Sequence, residues 1–272
     1  VRDNAPFRED DLAELDEHFL SKASAVIAMQ EVAAGNTGHT TIGLRHDCDA
    51  GHSLATAVKT ARWEADRGYR STYYVLHTSP YWQYPTFPRM LEEIACLGHE
   101  IGIHADALAE SLKTGRDPHL ILDEALATLR GWGFSVRGVA GHGNPVCNRD
   151  AGPGEITFAN DEQFVECARP QEGPPDRVIT RGSISLKLAP RPLADFGLDY
   201  EALVLGLPHP FRFSDSGGRW LRPGWDETVE KFWRTVAVPA EAVVDPRETR
   251  QLHLLVHPDW WMQAFSGVAA AA

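Results

Sequence analysis

The chain has 272 residues, 43% of them hydrophobic and 24% charged, and a formal net charge of -12. That length can bury a sizeable core, as one large α/β domain or two small ones. The acidic balance excludes the clustered Lys and Arg surface that nucleic acid or an anionic membrane requires, and no run of about 18 apolar residues supplies a membrane span. Four cysteines (Cys48, Cys96, Cys147 and Cys167) form no CxxC pair, which suits reduced thiols better than a disulfide framework. The acidic opening VRDNAPFREDDLAELDEHF lacks the basic and apolar regions of a signal peptide. A cytoplasmic location is the expectation.

Residues 8–34 read as helix, opening on an acidic turn and stopped by Asn-Thr-Gly at 36–38. A first strand is expected at 40–46, then an amphipathic helix over 53–67 ending at Gly68. Residues 71–76, rich in Tyr, Thr and Val, read as a second strand. After the aromatic loop HTSPYWQYPTFP come a helix at 88–96 and a third strand ending at His104. A helix over 118–132, with Pro118 in its first turn, precedes a fourth strand at 135–140 and the loop GHGNP. The four strands recur about every 30 residues, the length of a strand, a crossover helix and two turns.

Beyond Pro145 the pattern loosens. A short helix near 161–168 is expected, then β-like runs in VITRGSISLKL and EALVLGL, a strand and turn in FRFSDSGGRW, a helix at 226–235, and a last strand at 252–256 that delivers His257. No linker-like tract interrupts the chain. It reads as one α/β domain, an irregular (β/α) barrel in preference to an open sheet, with a helical segment at 1–38, the barrel at 39–260 and a tail at 261–272.

The organising stretch is LRHDCDAG at 44–51, with GHEIGIH at 98–104 as its counterpart. Short apolar runs followed by turn residues read as buried strands, so Asp47, Asp49 and His104 fall at strand C-terminal ends, where parallel α/β folds do their chemistry. A strand-end aspartate is often only the cap of the next helix, and a lone histidine there is often a satisfied core residue. Yet His142 among glycines, Asp215 before two glycines and His257 before a proline bring further carboxylate and imidazole groups to strand ends. Convergence on one edge would make a metal-assisted hydrolytic site. By strand parity His99 faces away from His104 and reads as structural. Tyr81, Trp82, Trp220, Trp260 and Trp261 adjoin these ends, most as packing, one or two as platforms for a sugar face.

These residues carry a resemblance. Over residues 40–260 the chain resembles the NodB-homology polysaccharide deacetylases, with the likeness concentrated in RHDCDAG, STYYV, LGHEIGIH and LLVHP. The resemblance implies a deacetylase-type barrel and a metal-dependent hydrolase that removes an acetyl group from an N-acetylated sugar or a sugar-containing precursor. It also implies the roles: Asp47 as catalytic base, Asp49 and His104 as metal ligands, His257 as general acid, and Asp215 as the group that orients its neighbours. The family's second motif carries another histidine four residues after the first, and here that position is Leu108. His142 is the expected replacement and His77 the second choice. Asp49, His104 and His142 would hold a divalent metal, zinc being the expected ion. The substrate would be a small molecule or carbohydrate. Other readings are an amidohydrolase acting on a cyclic imide or ureide, a binding or scaffold protein with a decayed site, and a non-haem iron oxygenase.

Overall fold

The structure, a computed structural model, describes residues 7–18, 20–35, 41–148, 159–167, 177–181, 184–202, 211–215 and 251–265. The strands are β1 (Ala25–Ile27), β2 (Thr41–Cys48), β3 (Thr72–Leu76), β4 (Glu100–Ala105), β5 (Gly138–Gly141), β6 (Arg177–Arg181), β7 (Ile184–Leu188), β8 (Tyr200–Glu201), β9 (Phe211–Ser214) and β10 (Gln251–Val256). The helices that matter below are α1 (Glu9–His18), α2 (Met29–Ala33), α3 (Ser53–Ala65), α4 (Phe87–Cys96), α5 (Ala107–Thr114) and α6 (Pro118–Gly131).

Local chemistry accounts for several of these boundaries. Asp117 caps α6 by accepting from the backbone N–H of His119, with Pro118 in the first turn. Gly115, at φ 73°, ends α5 in the left-handed conformation that costs glycine least. Every residue of β2, β3 and β4 is buried, as expected of strands covered on both faces.

The chain divides into two compact units, Val1–Tyr73 with Gln83–Glu100 and Gly206–Ala272, and Tyr74–Trp82 with Ile101–Leu205. In the first unit β10 lies between β2 and β9, both parallel to it, and β1 pairs parallel with β2. Leu15, Ile42, Leu44, Leu252, Leu254 and Phe265 form part of its core. In the second unit β5 lies parallel between β4 and β8, while β6 and β7 form a separate antiparallel pair. The hydrophobic face of α5 packs on that pair, joining Leu108, Ala109 and Leu112 to Ile179 and Leu188.

The architecture is α/β with an open parallel sheet. Among the described residues, the strand order ends on β9 in the first unit and on β8 in the second, and the closed barrel read from the sequence is not seen. β8 contributes only two residues to its ladder with β5. The segment at 1–38 also departs from its helical reading: β1 separates α1 from α2. Pairing with β2 outweighed the helical leaning of SAVIAMQEVAA, a case of tertiary contact overriding local propensity. The run near 161–168 forms two 3₁₀ turns, Asn160–Gln163 and Val165–Cys167. The helix expected at 226–235 and the ring of Trp220 lie outside the described residues. No helix among the described residues is long and apolar enough to cross a membrane.

Candidate functional site

In the first unit, strand register assembles an acidic edge. Val256 pairs with His46 and Leu255 with Ser214, so the next residues, Asp47, His257 and Asp215, come to adjacent strand ends. Asp47 shares a strand face with Arg45, whose guanidinium donates to it at 3.2 Å, and both side chains are buried. Asp49 follows the strand, with its Oδ2 4.0 Å from Nε2 of His257. The loop after β2 is tied down by Ser53, whose Oγ accepts from the backbone N–H of Ala50 and donates to Asp259.

Asp215 is fully buried and holds His257 at two points, accepting its backbone N–H at 2.9 Å and meeting Nδ1 at 2.6 Å. Trp261 adds an indole N–H at 2.8 Å, so Asp215 is itself fixed. Burial works against the charged imidazole, but the hydrogen bond and charge of Asp215, with Asp47 and Asp49 behind it, push the pKa of His257 up to about 9. The imidazole is therefore a proton donor at neutral pH. Cys48, on the same edge, is no nucleophile: burial and the charges of Asp259, Asp49 and Asp47 keep its thiol protonated.

In the second unit, β4 and β5 are in register with His104 opposite Ala140 and Ala105 opposite Gly141. His142 is the next residue, and its N–H donates to the Ala105 carbonyl at 2.8 Å. The Ala140 carbonyl lies 2.9 Å from Nδ1 of His104 and can only accept, so Nδ1 carries the proton and Nε2 keeps its lone pair. That Nε2 is 3.1 Å from Nδ1 of His142. Two ring nitrogens this close can both bind one ion at the roughly 2.0–2.1 Å of a zinc–imidazole bond. In the second unit His104 and His142 thus offer a pair of imidazole donors to a divalent ion.

Leu108 is buried on α5 against the hairpin cluster, which accounts for an apolar residue at that position. His77 is engaged by the backbone. Its Nε2 accepts the backbone N–H of Asp106 at 2.9 Å, which leaves the proton of the neutral ring on Nδ1 and no free lone pair in the ring plane. Burial and the neighbouring charges of His104, His142 and Lys113 lower its pKa to about 4, so the ring is neutral. Among the aromatic residues, Tyr81 and Trp261 are core, with Tyr81 donated to by the Leu76 N–H and Trp261 stacked on Phe7. Neither is available to a sugar face.

Several residues escaped the sequence reading. Arg45 was overlooked beside Asp47, although its position two residues away on a strand was a usable signal. Glu64 gave no signal of its own. From α3 it reaches His46 at 2.7 Å, Ser71 at 2.7 Å and Tyr73 at 3.0 Å, all buried. Burial raises its carboxyl pKa, but the charges of His46 and His99 and the hydrogen bonds of His46 and Ser71 outweigh that and hold it below the ordinary value. His99 belongs to this network: its Nδ1 accepts the Ser71 N–H at 3.1 Å and its Nε2 reaches the Ala61 carbonyl at 2.9 Å. Glu64→Gln is expected to destabilise the fold by about 2 kcal/mol, because an amide cannot accept from all the buried groups the carboxylate joins and leaves some of them unsatisfied. Urea unfolding checks this, and a change under 1 kcal/mol would refute the network's importance.

Comparison with protein-family models, with curated proteins and with solved structures gives no match. The case for function therefore rests on the residues themselves.

Proposed function

We propose that the protein is a metal-dependent hydrolase of the polysaccharide-deacetylase type, removing an acetyl group from an N-acetylated sugar or sugar-containing precursor. The observation that carries this is the pair His104–His142, in which a backbone carbonyl fixes the tautomer of one ring and its Nε2 lies 3.1 Å from Nδ1 of the other. His104 and His142 would hold the ion, and Asp49 is the carboxylate ligand that the resemblance implies. The chemistry that a divalent ion supplies at such a site is polarisation of the acetyl carbonyl and a lowered pKa for water.

The chain's own groups divide the proton work. Asp47, held by Arg45, takes the proton from the attacking water. His257, kept protonated by Asp215, donates to the departing sugar nitrogen, which leaves poorly as an anion. Asp215 orients the imidazole and fixes which nitrogen faces the substrate.

The test is acetate release from a panel of N-acetylated sugars. Chelation is expected to abolish release and an added divalent ion to restore it. His142→Ala is expected to lower metal content, measured on the purified protein. Full activity in a demonstrably metal-free preparation rejects the mechanism, and unchanged metal affinity in His142→Ala rejects the ligand assignment.

A further inference from the structure

We infer that Asp106 is the positioning residue of the histidine pair, holding the loops after β3, β4 and β5 in the arrangement that brings His142 to His104. This inference rests on the metal-site reading above. Asp106 is the first residue after β4 and is buried to 1% exposure, a costly place for a carboxylate unless it is well bonded.

Its bonds reach all three loops. From the β3 side, Thr78 donates its hydroxyl at 3.2 Å, and His77 accepts the Asp106 N–H. From the loop after β5, the Asn144 amide donates to both carboxylate oxygens, at 2.9 and 2.7 Å. Asn160 donates to Oδ1 at 3.0 Å, and its amide also reaches the carbonyl of His142 at 2.8 Å. Lys113 supplies the nearest positive charge, 3.8 Å away. The carboxylate is an acceptor at each side-chain contact, and the amides facing it are donors. An asparagine at 106 would turn its own NH₂ against some of these donors, which loosens the anchoring of Asn144 and of Asn160, the residue that also holds the His142 carbonyl. A ligand whose backbone drifts by a fraction of an ångström binds its ion less tightly, and loss of such outer support costs roughly 10–100-fold in metal affinity.

The experiment uses the full chain, titrated with Co(II) and followed by visible absorption, alongside the thermal midpoint of the metal-free protein. Wild type is expected to give a saturable ligand-field band. Asp106→Asn is expected to bind Co(II) about 10–100-fold more weakly with an altered band. The reciprocal variant Asp106→Asn/Asn144→Asp moves the carboxylate to the other side of the same hydrogen bonds and is expected to recover band and affinity. A purely structural residue would instead lower the thermal midpoint and leave the Co(II) band of the folded protein unchanged, and that result overturns the inference. Should Asp106→Asn not fold, Asn160→Ala reads the same contact. A weakened and altered band supports the inference, and a wild-type band overturns it. A wild-type protein that gives no Co(II) band fails the metal reading itself, and the inference goes with it.

Discussion

Asp47→Asn is expected to cut deacetylation by about 100-fold or more, as loss of a general base does, while metal content stays at the wild-type level. Asparagine keeps the shape of the side chain and can still accept from Arg45, which sits 3.2 Å away, so the strand end is not expected to rearrange. What is lost is basicity. Asp49→Asn is expected to behave differently, losing metal along with activity, because the amide oxygen is a much weaker ligand for a divalent ion than a carboxylate. Metal analysis of the two variants beside their rates separates the roles. Equal metal loss in both, or the reverse pattern, would show that the D-x-D assignment is wrong.

His257→Ala is expected to lower turnover of an amide substrate by about 100-fold or more and to spare an activated ester by comparison. An amine departs only once protonated, whereas a good leaving group needs no proton. The pH dependence has a definite sign. The pKa of His257 is raised from its ordinary 6.5 to about 9, so the acid form is present below about 9 and is lost as pH rises through it. The same shift stabilises the fold fully below pH 6.5, a contribution that fades as pH climbs through 9. Removing the charge that raises it, in Asp215→Asn, is expected to move the basic limb of the rate profile to lower pH. Equal losses on amide and ester in His257→Ala would make the imidazole a positioning group. An unmoved basic limb in Asp215→Asn would show that some other group titrates there.

The two variants probe parts of the site that differed in how legible they were. Asp47, Asp49, His104 and His257 could be picked out because each follows a short apolar run and so falls at a strand end. His142 was readable from its place in AGHGNP. The tautomer of His104 was not, since it depends on the carbonyl of Ala140, a residue 36 positions away in sequence and opposite only by strand register. The contact of His77 with the Asp106 N–H was hidden for the same reason, since no spacing rule points to it. Nothing in the sequence singled out Asp106, Asn144 and Asn160. Their joint role exists only once three loops meet.

The α/β class and the parallel strands were determined by the sequence, because buried strands and amphipathic helices each leave a periodic hydrophobic record in the chain itself. So was the identity of most candidate site residues, since residue type and strand-end position are both local properties. Tertiary structure decided the rest. It broke the 1–38 segment with β1, through hydrogen bonds to β2 that local propensity does not encode. It added α5, whose apolar face has a purpose only against the β6–β7 hairpin. Among the described residues it gave an open parallel sheet where a barrel was expected, because ring closure depends on pairing between strands distant in sequence. Protonation states followed from tertiary contact too: a histidine at a strand end is ambiguous until its neighbours are in place, and Asp215 beside His257 favours the protonated ring.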